Sequence, residues 1–356
     1  MDKRVLTSKL IACMFISMFG LPILGFVQSS APGGSISTAH GSAGSAQHGH
    51  PARMDQWMER GERRPLASSR ELAIGGATIQ LDIAQGPLDL PPAAIVQWVQ
   101  KAATAVTEYY GHFPVPRVRV LIVPVADREG VLQGTTWGGR DGFSSMSRLR
   151  LGEHTTRKDL DQDWTMTHEL VHSAFPDLPR YQHWMEEGLA TYVEPIARAQ
   201  VGQLSAKQVW GGVVRDMTKG EPGPGDEGLD RTHTWGRTYW GGAMFCLVAD
   251  ITIRRETGNR KGLQDALRAI VDAGGTIDQE WPLTRALQIG DKATGTTVLT
   301  DLYQKWSDTP TSVDLDKLWA ELGIRRDASG VEFDSAAPLA KIREAITQPE
   351  PAPSQK

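Results

Sequence analysis

The stretch His168-Glu169-Leu170-Val171-His172 constrains this chain more than any other. An α-helix turns once in about 3.6 residues, so side chains four apart share a face. On a helix the two imidazoles therefore point the same way and can take one metal ion. Glu169 falls to the side of the pair, where a carboxylate reaches a water on the metal without ligating the metal itself. Trp164, Met166, Leu170, Val171, Ala174 and Phe175 add an apolar stripe at helical spacing, as a buried helix requires. Asp159, Asp161 and Asp163 lie upstream, where a helix start favours acidic side chains, and Pro176 and Pro179 stop the helix soon after His172.

A second segment, Trp184-Met185-Glu186-Glu187-Gly188-Leu189-Ala190-Thr191-Tyr192, offers a third ligand. Adjacent helical side chains diverge by about 100°, so only one of Glu186 and Glu187 faces the metal. Glu187 is the choice, because Gly188 after it lets another backbone, or the first helix, approach closely. Two histidines and one glutamate leave a fourth position open on zinc, the arrangement of a catalytic site, so one Zn2+ per chain is expected. Glu194 lies two turns along the face of Glu187. It reads either as a carboxylate holding a ligand imidazole by hydrogen bonding or as an exposed helix-end residue before Pro195.

These residues resemble those of the gluzincin metallopeptidases, in particular the peptidase MA-like group related to aminopeptidase N. That group pairs an HExxH helix with a later Trp-x-x-Glu-Gly helix, here residues 168–172 and 184–188. The resemblance implies that His168, His172 and Glu187 bind zinc and that Glu169 is the general base. A third segment, Arg237-Thr238-Tyr239-Trp240-Gly241-Gly242, matches the relatives' Tyr-x-x-Gly segment, whose tyrosine stabilises the oxyanion. That role maps onto Tyr239, with His233 as a competitor for it. The implied fold is α+β: a thermolysin-like catalytic domain with a small mixed sheet, an edge strand over the HExxH helix, and a mostly helical half after it. Two departures stand out. Fourteen residues separate His172 from Glu187, fewer than in the aminopeptidase N relatives, which suggests a trimmed helical hairpin. Those aminopeptidases also grip the substrate's free amine with a Gly-x-Met-Glu-Asn strand, and the stretch read at that place, Gly142 to Leu151, has no such motif.

The implied chemistry is peptide hydrolysis. Zinc lowers the pKa of water towards about 7 and polarises a carbonyl. Glu169 takes the water's proton and passes it to the leaving amine, and the Tyr239 hydroxyl stabilises the oxyanion. Leu149 and Leu151 alternate with Arg148 and Arg150, so residues 143–151 read as an edge strand to which an extended peptide can add.

The chain has 356 residues, 40% hydrophobic and 22% charged, which are globular values. A net charge of −4 gives no footprint for nucleic acid. Leu10 to Val27 is almost wholly apolar and follows Lys3, Arg4 and Lys9, the pattern of a secretory signal or, uncleaved, of a membrane anchor. An exported protein, periplasmic or secreted, is expected. Of two cysteines, Cys13 leaves with a cleaved signal and Cys246 sits in an apolar helical run as a core residue. Residues 29–66 read as a flexible linker, 67–347 as the folded domain and 348–356 as a disordered tail. Within the domain, Ala73 to Ala84 reads as one strand, Ala93 to Tyr110 as a helix, Val118 to Val125 as a buried strand, and Tyr239 to Glu256 as one helix. The expected function is a zinc peptidase acting on peptides or proteins, an endopeptidase because the amine-gripping motif is missing. The rivals are an aminopeptidase and a catalytically silent binding or assembly protein on the same fold.

Overall fold

The computed structural model describes residues 11–12, 64–327 and 330–349. The signal apart from residues 11–12, most of the linker and residues 350–356 of the tail lie outside these. Among the described residues no helix is long and apolar enough to cross a membrane.

A six-stranded mixed sheet forms one layer. Its strands are β1 (Ile11–Ala12), β2 (Leu66–Ile74), β3 (Ala77–Ala84), β4 (Arg117–Val125), β5 (Val131–Arg140) and β6 (Phe143–Gly152), in the order β1-β5-β6-β4-β3-β2. Strand β3 is parallel to β4 and β4 to β6, while β2–β3 and β5–β6 are antiparallel hairpins. Helix α1 (Pro92–Tyr110) makes the crossover between β3 and β4. Its start and end follow local chemistry: Pro92 has the φ of a first helical residue, and Gly111 closes the helix in the left-handed region at φ 84°.

Two expectations fail in the sheet. The strand expected over Ala73 to Ala84 is a hairpin, because Gly75 and Gly76 at φ 59° and 84° reverse the chain in the middle of the apolar alternation. Residues 143–151 are not the edge. As β6 they sit between β4 and β5, and β5 lies outside them. Val131 to Arg140 carries few branched apolar side chains and three glycines, so it does not show strand periodicity in the sequence. Among the described residues the outer edge of β5 pairs with another strand only at Thr135 and Thr136, with β1.

The rest is helical: α2 (Arg157–Gln162), α3 (Thr165–Val171), α4 (His183–Gln200), α5 (Ala206–Asp216), α6 (Gly242–Glu256), α7 (Leu263–Asp272), α8 (Leu283–Thr294), α9 (Val298–Trp306), α10 (Leu315–Glu321) and α11 (Ala340–Thr347), with a small hairpin at Ile324–Asp327 and Gly330–Phe333. One continuous core joins the sheet's inner face (Ile79, Val120, Leu149) to α1, α3, α4 and α6. Cys246 is wholly buried in it, as its apolar neighbours predict. The helix expected from Tyr239 begins as a π-turn at Arg237–Gly241 before α6 takes over.

Candidate metal centre and active site

Helix α3 is short and buried along its whole length. Asp163 organises its first turn, its two oxygens accepting from the backbone N–H groups of Thr165 and Met166, each at 3.0 Å, and from the Trp98 indole at 3.1 Å. The other two acidic residues serve elsewhere. Asp159 closes a capping box on α2, and Asp161 pairs with Lys101 at 2.6 Å. After Val171 the backbone tightens to a 3₁₀ turn over His172–Ala174, so His172 stands where α3 ends.

Helix α4 crosses beneath and supplies Glu187. Glu187 Oε2 lies 3.2 Å from His168 Nε2 and 3.7 Å from His172 Nε2. One ligand atom from each of the three residues lies within 4.8 Å of the others, and all three residues are buried. His172 Nε2 is a buried ring nitrogen with no hydrogen-bond partner among the described residues. Burial lowers the His172 pKa to about 3, so this imidazole is neutral at pH 7. Burial acts to raise Glu187, but His172, His168 and His183 outweigh it and hold the carboxyl well below the usual range. A neutral imidazole and an ionised carboxylate are the states a divalent cation needs. At His168 burial acts downward, and the hydrogen bond and charge of Glu187 outweigh it and hold the imidazole above its ordinary value. Two imidazoles and one carboxylate, buried and converging, are a donor set that fits zinc.

The glutamate beside Glu187 has another task. Glu186 Oε1 accepts from the Leu178 backbone N–H at 3.0 Å, and its Oε2 lies 2.8 Å from His183 Nδ1. The other His183 nitrogen, Nε2, lies 3.2 Å from Glu187 Oε1. His183 therefore bridges the two carboxylates. Burial opposes its protonation, but the bonds to Glu186 and Glu187 win and push it up to about 10. Sequence reading missed His183. Its only signal was a position three and four residues before the two glutamates on one helix face.

Glu169 is fully buried and is held by the sheet. The Thr136 hydroxyl donates to Glu169 Oε2 at 2.7 Å and lies 2.9 Å from Ser147 Oγ. Gly134, two residues back on β5, lies directly against the carboxylate. A Cβ there would meet Glu169 Oε1 at 2.3 Å and Cγ at 2.5 Å. The strand over the HExxH helix is thus β5, and the stretch from Gly142 to Leu151 is not the one at that place. Gly134→Ala should force Glu169 out of position. Since a shift of about 1 Å can cost roughly 10²-fold in rate, the peptide hydrolysis expected from the sequence should fall by about that factor with metal content unchanged, read by metal analysis beside peptide kinetics.

Tyr239 is brought to the same place. Its ring stacks on His168 with centroids 6.4 Å apart and planes at 21°. Arg237, two residues earlier, is buried and fixes the π-turn through Asp226, 2.8 Å away, and the Gly220 carbonyl. This is how the loop Glu221 to Gly228 meets the site. His233 stays in the exposed stretch before the turn. Glu194 is not an exposed helix end, because α4 runs on through Pro195 to Gln200. It is buried, accepts from Arg198 Nη1 at 2.8 Å, and its charge acts on His168.

This architecture, an HExxH helix under a strand with a glutamate from the next helix, defines a gluzincin peptidase-like fold. Comparison with known structures gives the same class. An aminopeptidase N family protein from Idiomarina loihiensis superposes with a TM-score of 0.53 at 14% identity, over 72% of this chain and 49% of its own length. A variant of the M1 zinc metallopeptidase from Deinococcus radiodurans, bound to a Tyr-Ser-Ala substrate, gives a TM-score of 0.46 at 16% identity, over 70% of this chain and 54% of its own. The chain therefore spans about half the length of these neighbours. No protein-family model matches the sequence, and no curated protein matches it significantly.

Proposed function

We propose that this chain is an exported, zinc-dependent peptidase that cleaves within peptide chains. The convergence of His168, His172 and Glu187 beside a sheet-held Glu169 carries the reading. His168, His172 and Glu187 would hold the zinc ion, which when bound would supply Lewis-acid polarisation of the scissile carbonyl and acidify water. Glu169 accepts the attacking water's proton and returns it to the departing amine. The Tyr239 hydroxyl donates to the oxyanion. Glu194 steadies the His168 imidazole through its nearby charge, and His183 orients Glu187 through its outer oxygen.

The edge of β5 supports an extended substrate. It presents main-chain groups beside Glu169, and a short segment of the chain itself pairs there, Ile11 with Thr136 and Ala12 with Thr135. Cleavage inside a chain follows from a sequence with no counterpart of the amine-gripping motif. Export follows from the basic-then-apolar stretch up to Val27.

The test is metal analysis joined to a peptide library. The purified chain should hold about one zinc, and His172→Ala should lose it, because removing one of three donors leaves two. Wild-type protein should cleave library peptides at internal bonds. Full zinc content in His172→Ala refutes the ligand set. A zinc-loaded wild type that cleaves no peptide favours the binding-protein alternative.

A further inference from the structure

Only three large apolar side chains among the described residues are exposed, and one of them, Trp235, lies against the candidate site. The three are Leu66, Tyr181 and Trp235, at 39%, 49% and 49% exposure. Leu66 opens β2, at the sheet edge opposite β5. Tyr181 stands two residues before His183 and lines a 420 Å³ cavity with Trp281 and Tyr303. Trp235 stands four residues before Tyr239, and its ring stacks on Tyr239 with centroids 5.7 Å apart and planes at 27°. Since Tyr239 stacks in turn on His168, the rings form a ladder from solvent to a metal-ligand imidazole.

The indole is held in place. The Lys219 ammonium lies 5.8 Å from the Trp235 ring and 5.6 Å from the Trp240 ring, within cation–π range. Single exposed apolar residues are ordinary on protein surfaces, but a fixed aromatic half open to water beside a catalytic group is a surface that a ligand can cover.

Resting on the zinc-peptidase reading, we propose that Trp235 is a specificity-determining residue whose indole packs against a bulky apolar side chain of the substrate peptide beside the scissile bond. The favoured substrates then carry aromatic or large aliphatic residues there, with small or charged residues disfavoured. A hydrophobic contact surface of this kind discriminates by about 10–200-fold, so the selectivity should fall in that range.

The experiment compares two matched peptides, identical except for Phe or Ala next to the cleaved bond. Wild type should favour the Phe peptide by about tenfold or more in kcat/KM. Trp235→Ala should bring the ratio close to one, and Trp235→Phe should restore most of it. In a Glu169→Gln background, where turnover is slowed by about 10²–10⁴-fold, Trp235→Ala should weaken binding of the Phe peptide by about tenfold in calorimetry. If Trp235 only props up Tyr239, Trp235→Ala slows both peptides equally and keeps the ratio, which overturns the proposal. A zinc-loaded wild type inert towards both peptides fails the peptidase reading itself, and the specificity role falls with it. A cleaving enzyme with no Phe preference sinks the Trp235 role alone.

Discussion

Replacing Glu169 with glutamine should leave zinc content and melting temperature unchanged and cut peptide hydrolysis by about 10²–10⁴-fold, the usual weight of a general base. Glutamine keeps the size of glutamate and can still accept from the Thr136 hydroxyl, which lies 2.7 Å from Glu169 Oε2. The residue is fully buried, and its neighbours Met166 and Leu170 pack in the core, so the surrounding structure has no reason to move. What glutamine lacks is basicity. On the proposed ligand set zinc should stay, because His168, His172 and Glu187 are unaltered. Activity within a few fold of wild type would remove Glu169 from the reaction. Loss of zinc together with activity would show that it binds the metal or holds the helix instead.

Gly188→Ala should destabilise the protein by about 1–3 kcal/mol and abolish most hydrolysis even where the chain is folded. Gly188 follows Glu187 on α4 and lies against the start of α6. A Cβ there would meet the Gly242 Cα and carbonyl carbon at 2.3 Å, and a Cβ on Gly242 would meet the Trp184 carbonyl oxygen at 2.1 Å. Backbone lies against backbone, so no side chain can rotate away. The helices must separate, and that separation moves Glu187 relative to the turn that carries Tyr239. Thermal melting and kinetics together test this. Gly211→Ala is the control: it lies within α5 with nothing closer than 4.0 Å to an added Cβ. There alanine should stabilise by roughly 0.5–1 kcal/mol through reduced chain entropy. A Gly188→Ala protein as stable and active as wild type would show that the contact between α4 and α6 does not fix the site.

Much of the site was legible because its chemistry is written in local spacing. His168 and His172 share a face of one turn, and Glu187 stands beside a glycine, so the residues could be picked out before any long-range contact was known. The partner of that glycine was not legible. Sequence alone left open whether another backbone or the HExxH helix approaches Gly188, and the structure shows the start of α6. The edge strand was misplaced for a similar reason. Residues 143–151 have strand periodicity, but periodicity does not say which neighbours a strand pairs with. β5, with Gly134, Gly138 and Gly139, has too little apolar alternation to be seen at all. Its value is its emptiness: Gly134 leaves the space that Glu169 fills.

The amino-acid order by itself put His168, Glu169 and His172 on one turn, because short-range backbone geometry enforces helical spacing, while the class of fold and the role of Glu187 were what the family resemblance implied. Only the tertiary structure decided what surrounds them: β5 rather than β6 over Glu169, His183 between two carboxylates, and Trp235 at the mouth. Those contacts join residues from separate elements, and packing, which no local pattern encodes, sets the distances between them.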